Sequence, residues 1–210
     1  MNKLIDSLAL PQRLALAYAP KSARPATLAL FALDARLAQA VRQASEPIMA
    51  QMRLAWWRDQ FGLAANRRER SDELIRALDL FAGEEGALIG LVDGWESLLA
   101  DELDAEGFAL GRARAFAALA RRLHLPDEPA AAAGRRFALA DLAANLADAE
   151  EQRAVLGLAG GGGRIALPRE LRSLAVLDGL ARRSLARGGA PLLDGPAAML
   201  GAIRLGLAGR

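Results

Sequence analysis

The chain has 210 residues, which suits one domain and is long enough to bury a core without covalent staples. It has no cysteine and one histidine, His124, so disulfides, thiolate nucleophiles, Cys- or His-ligated zinc and a Ser/His/Asp triad all drop out. Its 27 basic and 25 acidic residues leave a net charge of +2, and no Lys/Arg run is interleaved with aromatics, so a nucleic-acid partner is not expected.

Hydrophobic residues make up 53% of the chain but aromatics only 5%, so the core is mostly Leu and Ala. With few β-branched residues, that composition predicts helix packing over sheets. No uncharged apolar run approaches the roughly 18 residues of a membrane span. Met1–Leu10 carries Lys3 and Asp6 and does not read as a secretory leader. The expectation is a cytosolic protein, with peripheral contact at the inner membrane left open.

In chain order, Met1–Tyr18 predicts a short helix broken or redirected at Pro11, and Pro20–Pro25 a turn. Ala26–Ala44 predicts a long helix burying Leu30, Leu33, Leu37, Ala40, Val41 and Ala44. The organising stretch is Ser45–Phe61, SEPIMAQMRLAWWRDQF, with Ser45 as N-cap and Pro47 in the first turn. Its spacing puts Ile48, Met52, Ala55, Trp56 and Phe61 near one face and predicts that Trp56 and Trp57 are both largely buried. Arg53 lies four residues before Trp57, so its guanidinium can lie over the indole or reach past it. This helix is expected to end near Asn66.

Ser71 is the expected cap of a helix over Asp72–Phe81, with breaks at Gly83 and Gly86. Helices are then expected over Gly86–Ala105, Phe108–Leu123 (closed by Leu125-Pro126, with His124 in a capping role), Pro129–Asp148, Leu171–Gly188 and Pro196–Leu207. That makes eight to ten helices and no strand. Gly160–Gly163 lacks both the Lys-Ser/Thr and the preceding strand of a P-loop, so it reads as an irregular link that binds no phosphate.

Three segments together resemble the squalene/phytoene synthase family of the isoprenoid synthase fold. ALFALDARLAQAV with EPIMAQMRLAWWRDQF is similar to the family's first aspartate-motif helix and its "L-x-W-W-R" helix. LIGLVDGWESLL, Leu88–Leu99, is similar to its "G-x-E" helix, and GRIALPREL, Gly163–Leu171, to its "G-R-x-Y-L-P-x-E-L". The resemblance runs over nearly the whole chain as one domain, 1–210, and implies an all-α, isoprenoid synthase-like helical bundle.

In active members of that family, each of two helices carries an Asp-x-x-x-Asp pair. The spacing sets both carboxylates on one face, towards magnesium ions that hold the substrate diphosphate. The family register puts the first pair at positions 38 and 42, here Ala38 and Arg42, and the second at 155 and 159, here Val155 and Ala159. Ala166 replaces the usual tyrosine. These losses resemble a subgroup of the family, the synthase-like assembly factors of respiratory complex I and their bacterial relatives.

Other acids could stand in. Asp141, Asn145 and Asp148 share one helix face and could bind a divalent cation, although the ordinary expectation is a solvated stripe. Asp101, Glu102, Asp104 and Glu106 splay around a helix as a surface would. Asp34, one turn before Ala38, faces any residual cavity; with Arg36 and Arg42 nearby it is expected in a structural ion pair.

Three functions follow from the resemblance. The first is a non-catalytic protein in assembly or scaffolding of a respiratory or membrane complex, with a protein partner and no cofactor. The second is a prenyl transferase with atypical magnesium ligands. The third is a carrier of an apolar or prenyl chain. The residues expected to face the cavity or a partner are Asp34, Arg42, Arg53, Trp57 and Arg164.

Overall fold

Proline placement and carboxylate caps set most of the helix starts in the computed structural model, which describes residues 2–44, 46–160 and 162–208. Helix α1 spans Asn2–Asp6 and α2 Leu10–Ala17. Pro11 does not break this segment: it sits in the first turn of α2, where its missing N–H costs nothing, and the break falls before it. Pro25 and Pro47 do the same for α3, Arg24–Arg42, and α4, Pro47–Gly62. The proposed cap Ser45 lies outside the described residues.

Asp72, and not Ser71, caps α5, Glu73–Ala77, accepting from the backbone N–H of Leu74 at 2.7 Å. The Ser71 hydroxyl is turned to Glu69 instead. The chain then tightens into a 3-10 turn, Leu78–Phe81, and reverses at Gly83, whose φ of 86° favours glycine.

Helix α6, Glu85–Glu96, stops well short of Ala105, and Asp104 caps α7, Ala105–Arg122, through the Gly107 N–H at 2.8 Å. His124 ends α7 in the left-handed region at φ 57°. Its N–H donates to the Arg121 carbonyl and the Leu125 N–H to that of Ala120, both at 2.9 Å, which is the Schellman arrangement. The expected capping role of His124 is therefore played by its backbone.

Helix α8 covers Glu128–Asn145 and α9 Ala149–Ala159. Helix α9 was not expected as a separate element; Asp148 caps it, accepting from the Glu150 and Glu151 N–H groups. Gly160 ends it at φ 57°, and Gly162 and Gly163 are irregular as expected, Gly161 lying outside the described residues. Helices α10, Arg172–Ala186, and α11, Gly195–Ala208, complete an all-α protein with no strand among the described residues. No helix is long and apolar enough to cross a membrane.

Packing runs in a circuit: α4 against α6, α6 against α7, α7 against α8, α8 against α10, then α10 to α2, α2 to α3 and α3 back to α4. Phe31, Phe116 and Phe137 join edge to face through its centre, at 6.1 and 6.3 Å between ring centroids. Helices α6 and α7 cross almost backbone to backbone at Gly94 and Gly111.

Helix α4 corrects the sequence expectation. Trp57 is 3% exposed and packs with Ala50, Leu54 and Phe61, a stripe at i, i+4, i+7 and i+11. Ile48, Met52 and Trp56, expected on the buried face, are 54%, 63% and 38% exposed. Apolar side chains stand on all sides of this helix, so periodicity does not decide which face turns inward.

Candidate functional site

Two charges of opposite sign sit on otherwise apolar helix faces. Asp34 lies in α3 among Leu30, Leu33 and Leu37; Arg112 lies in α7 between Phe108 and Phe116, one turn to either side. Folding brings them together across 78 residues of chain. Arg112 Nε donates to Asp34 Oδ1 at 3.0 Å and Nη2 to Oδ2 at 2.9 Å, a bidentate pair, while Nη1 donates to Asp141 Oδ2 on α8 at 2.8 Å.

Two neutral donors complete the shell of Asp34: Trp95 Nε1 to Oδ1 and Gln12 Nε2 to Oδ2, each at 2.8 Å. The guanidinium also rests against three rings, its carbon 5.0 Å from the centroid of Trp95, 4.7 Å from Phe108 and 4.8 Å from Phe137. Burial alone would weaken its hold on the proton, but Asp34 and Asp141 outweigh that and hold it more firmly protonated than usual.

This cluster forms the floor of a cavity of about 750 Å³ between α2, α3 and α8. Leu8, Ala35, Ala38, Phe137, Ala144 and Leu192 supply apolar walls, and Arg42 and Asn145 stand at its edge. Arg42 has no ion-pair partner among the described residues. Its two acids, Asp34 and Asp141, are balanced by Arg42 and Arg112, so the lining carries no net charge.

The expected site residues divide among three places. Asp34 and Arg42 reach this cavity; Arg53 and Trp57 line a separate groove of about 540 Å³ between α3 and α4; Arg164 borders a small cleft near α10 and α11. Asp34 is ion-paired as expected, but to Arg112 and not to Arg36 or Arg42; Arg36 instead lies 3.7 Å from Asp72. No cation–π contact forms between Arg53 and Trp57. Ala38 and Arg42 line the cavity, whereas Val155 is fully buried and neither it nor Ala159 lines it.

The Asp141–Asn145–Asp148 stripe is not simply solvated. Asp141 is tied to Arg112, the Asn145 amide donates to the Asp141 carbonyl at 2.7 Å, and Asp148 is spent as a cap.

A carboxylate offers about four acceptor positions, and four donors already occupy those of Asp34. As they stand, Asp34 and Asp141 do not fit a magnesium ion, and no group of three or more His, Asp or Glu side chains converges on one point among the described residues. The chain matches no family model, no curated protein and no solved structure. Arg112, Gln12 and Trp95 escaped sequence reasoning, although a lone arginine on the apolar stripe of Phe108–Leu119 is a signal for a buried ion pair.

Proposed function

We propose that this chain is a non-catalytic protein of squalene/phytoene synthase type, built on an isoprenoid synthase-like bundle, that acts in assembly or scaffolding of a respiratory or membrane complex. The observation that carries this reading is Arg112. Catalytic members of the family hold magnesium between opposed carboxylates. Here the two carboxylates on opposing helices, Asp34 and Asp141, share one buried guanidinium instead. That cation cannot be deprotonated, and it cannot be exchanged for a metal ion as long as the side chain is present.

An assembly role needs a protein-facing surface, and the exposed Ile48, Met49, Met52 and Trp56 of α4 beside Arg36 and Arg53 supply one. A second reading, an apolar-chain carrier, is favoured by the cavity itself: Leu8, Ala35, Ala38, Phe137 and Leu192 give it an apolar wall, its lining carries no net charge, and its volume suits a small ligand. A prenyl transferase remains the reading to be eliminated. Incubation with farnesyl and geranylgeranyl diphosphate and Mg²⁺ is expected to release no pyrophosphate and no C30 or C40 product. Metal-dependent turnover would overturn the non-catalytic reading.

A further inference from the structure

On the other flank of α8, away from the central cavity, three arginines line a cleft of about 510 Å³ between α8, the end of α9 and α10. They are Arg136, Arg182 and Arg183; Leu156 and Leu185 form its apolar wall, and no acidic residue lines it. The two arginines that are buried among the described residues have both charge and hydrogen bonds answered. Arg112 holds two carboxylates, and Arg68 donates to Glu85 at 3.0 Å.

The cleft is different. Arg136 is fixed, its Nη1 donating to Asp178 Oδ1 at 2.7 Å and its Nη2 to the Gly163 carbonyl at 3.0 Å. Any side chain at Gly162 would collide with that guanidinium, so glycine there is what lets Arg136 lie across the loop. Arg182 and Arg183 are half-buried on α10 and make no ion-pair contact among the described residues, although Arg182 is close enough to feel Asp178. Asp178, the carboxylate that Arg136 engages, also feels Arg182 and Arg164 but does not line the cleft, and no acid among the lining residues answers Arg183.

We infer that Arg136, Arg182 and Arg183 form a binding site for a phosphate-bearing ligand, held by their guanidinium groups and not by the backbone amides of Gly160 and Gly162, which only border the cleft. Guanidinium groups match phosphate oxygens in pairs of parallel N–H donors, and one pre-fixed arginine with two adjustable neighbours suits a multivalent anion better than a single carboxylate. The phosphate comes either from a soluble ester or from a lipid headgroup. The inference rests on the cleft alone and does not depend on the family reading above.

The probes are inorganic pyrophosphate, by calorimetry without metal, and vesicles of phosphatidylcholine with or without phosphatidic acid, by co-sedimentation. Saturable pyrophosphate binding that weakens with salt, and weakens about tenfold or more in Arg182→Gln/Arg183→Gln, supports a soluble ligand. Binding only to phosphatidic-acid vesicles, with the same loss in the variant, supports a headgroup. In the wild-type protein, the bound probe should also shield Arg182 and Arg183 from phenylglyoxal, a readout independent of how the variant folds. Binding to neither probe, no shielding, or loss in Arg42→Gln but not in the double variant would overturn the proposal.

Discussion

Arg112→Met should destabilise the protein by about 3–5 kcal/mol, read as a fall in the urea midpoint at unchanged slope. The side chains of Asp34 and Arg112 are 7% and 3% exposed, so removing the guanidinium leaves a buried carboxylate with only Trp95 and Gln12 to answer it. The cost is that of an uncompensated charge, not of one lost contact. Adding Asp34→Asn should recover part of the loss, because it removes the unpaired charge while an oxygen still accepts from Trp95.

The same truncation at Arg58 gives the scale. That arginine bridges Asp93 and Glu96 at the surface with its side chain 34% exposed, so Arg58→Met should cost less than about 1 kcal/mol. If Arg112→Met costs no more than Arg58→Met, the cluster is not a buried, interdependent unit.

Gly111→Ala is expected to cost about 1–3 kcal/mol by the same measurement. A methyl group there would sit 2.6 Å from the Gly90 carbonyl oxygen and 3.0 Å from the Gly94 Cα, both backbone atoms that cannot rotate away. Relief requires α6 and α7 to separate, and α7 carries Arg112 while α6 carries Trp95. Gly157→Ala on α9 should go the other way, stabilising by up to about 1 kcal/mol, because nothing lies within 4 Å of its Cβ position and the residue is helical and exposed. Opposite signs for one substitution would separate the packing effect from helix propensity.

These effects mark where the sequence is legible. On α3, Leu30, Leu33, Leu37 and Ala40 repeat at helical spacing, with Arg36 and Gln39 exposed on the other face, and all four are buried as expected, whereas Val41 and Ala44 near the helix end are half-buried. On α4 the apolar residues surround the helix, so Trp56 and Trp57 carry the same local signal and only tertiary packing separates them. Helix α9 buries Val155 alone among its residues, so it has no apolar stripe to detect; its visible sign was Asp148 followed by Glu150 and Glu151. Asp34 is recognisable as a charge on an apolar face, but its partner lies 78 residues away on a helix with several arginines. Local pattern says that such a charge needs a partner; it does not say which of the arginines supplies it.

Arg112 answers both Asp34 and Asp141 in the cavity, which is why we propose that no metal ion is held there. Calorimetry of a non-hydrolysable farnesyl diphosphate analogue with and without Mg²⁺ checks this. The Arg182→Gln/Arg183→Gln variant should be used, so that the arginine cleft does not contribute. Each missing charged contact is worth about 1.5–3 kcal/mol, and a micromolar complex amounts to about 8 kcal/mol, so several absent together remove it. No Mg²⁺-dependent heat of binding is expected. Tight binding that requires Mg²⁺, and that changes when Asp34 or Asp141 is replaced by asparagine, would contradict it.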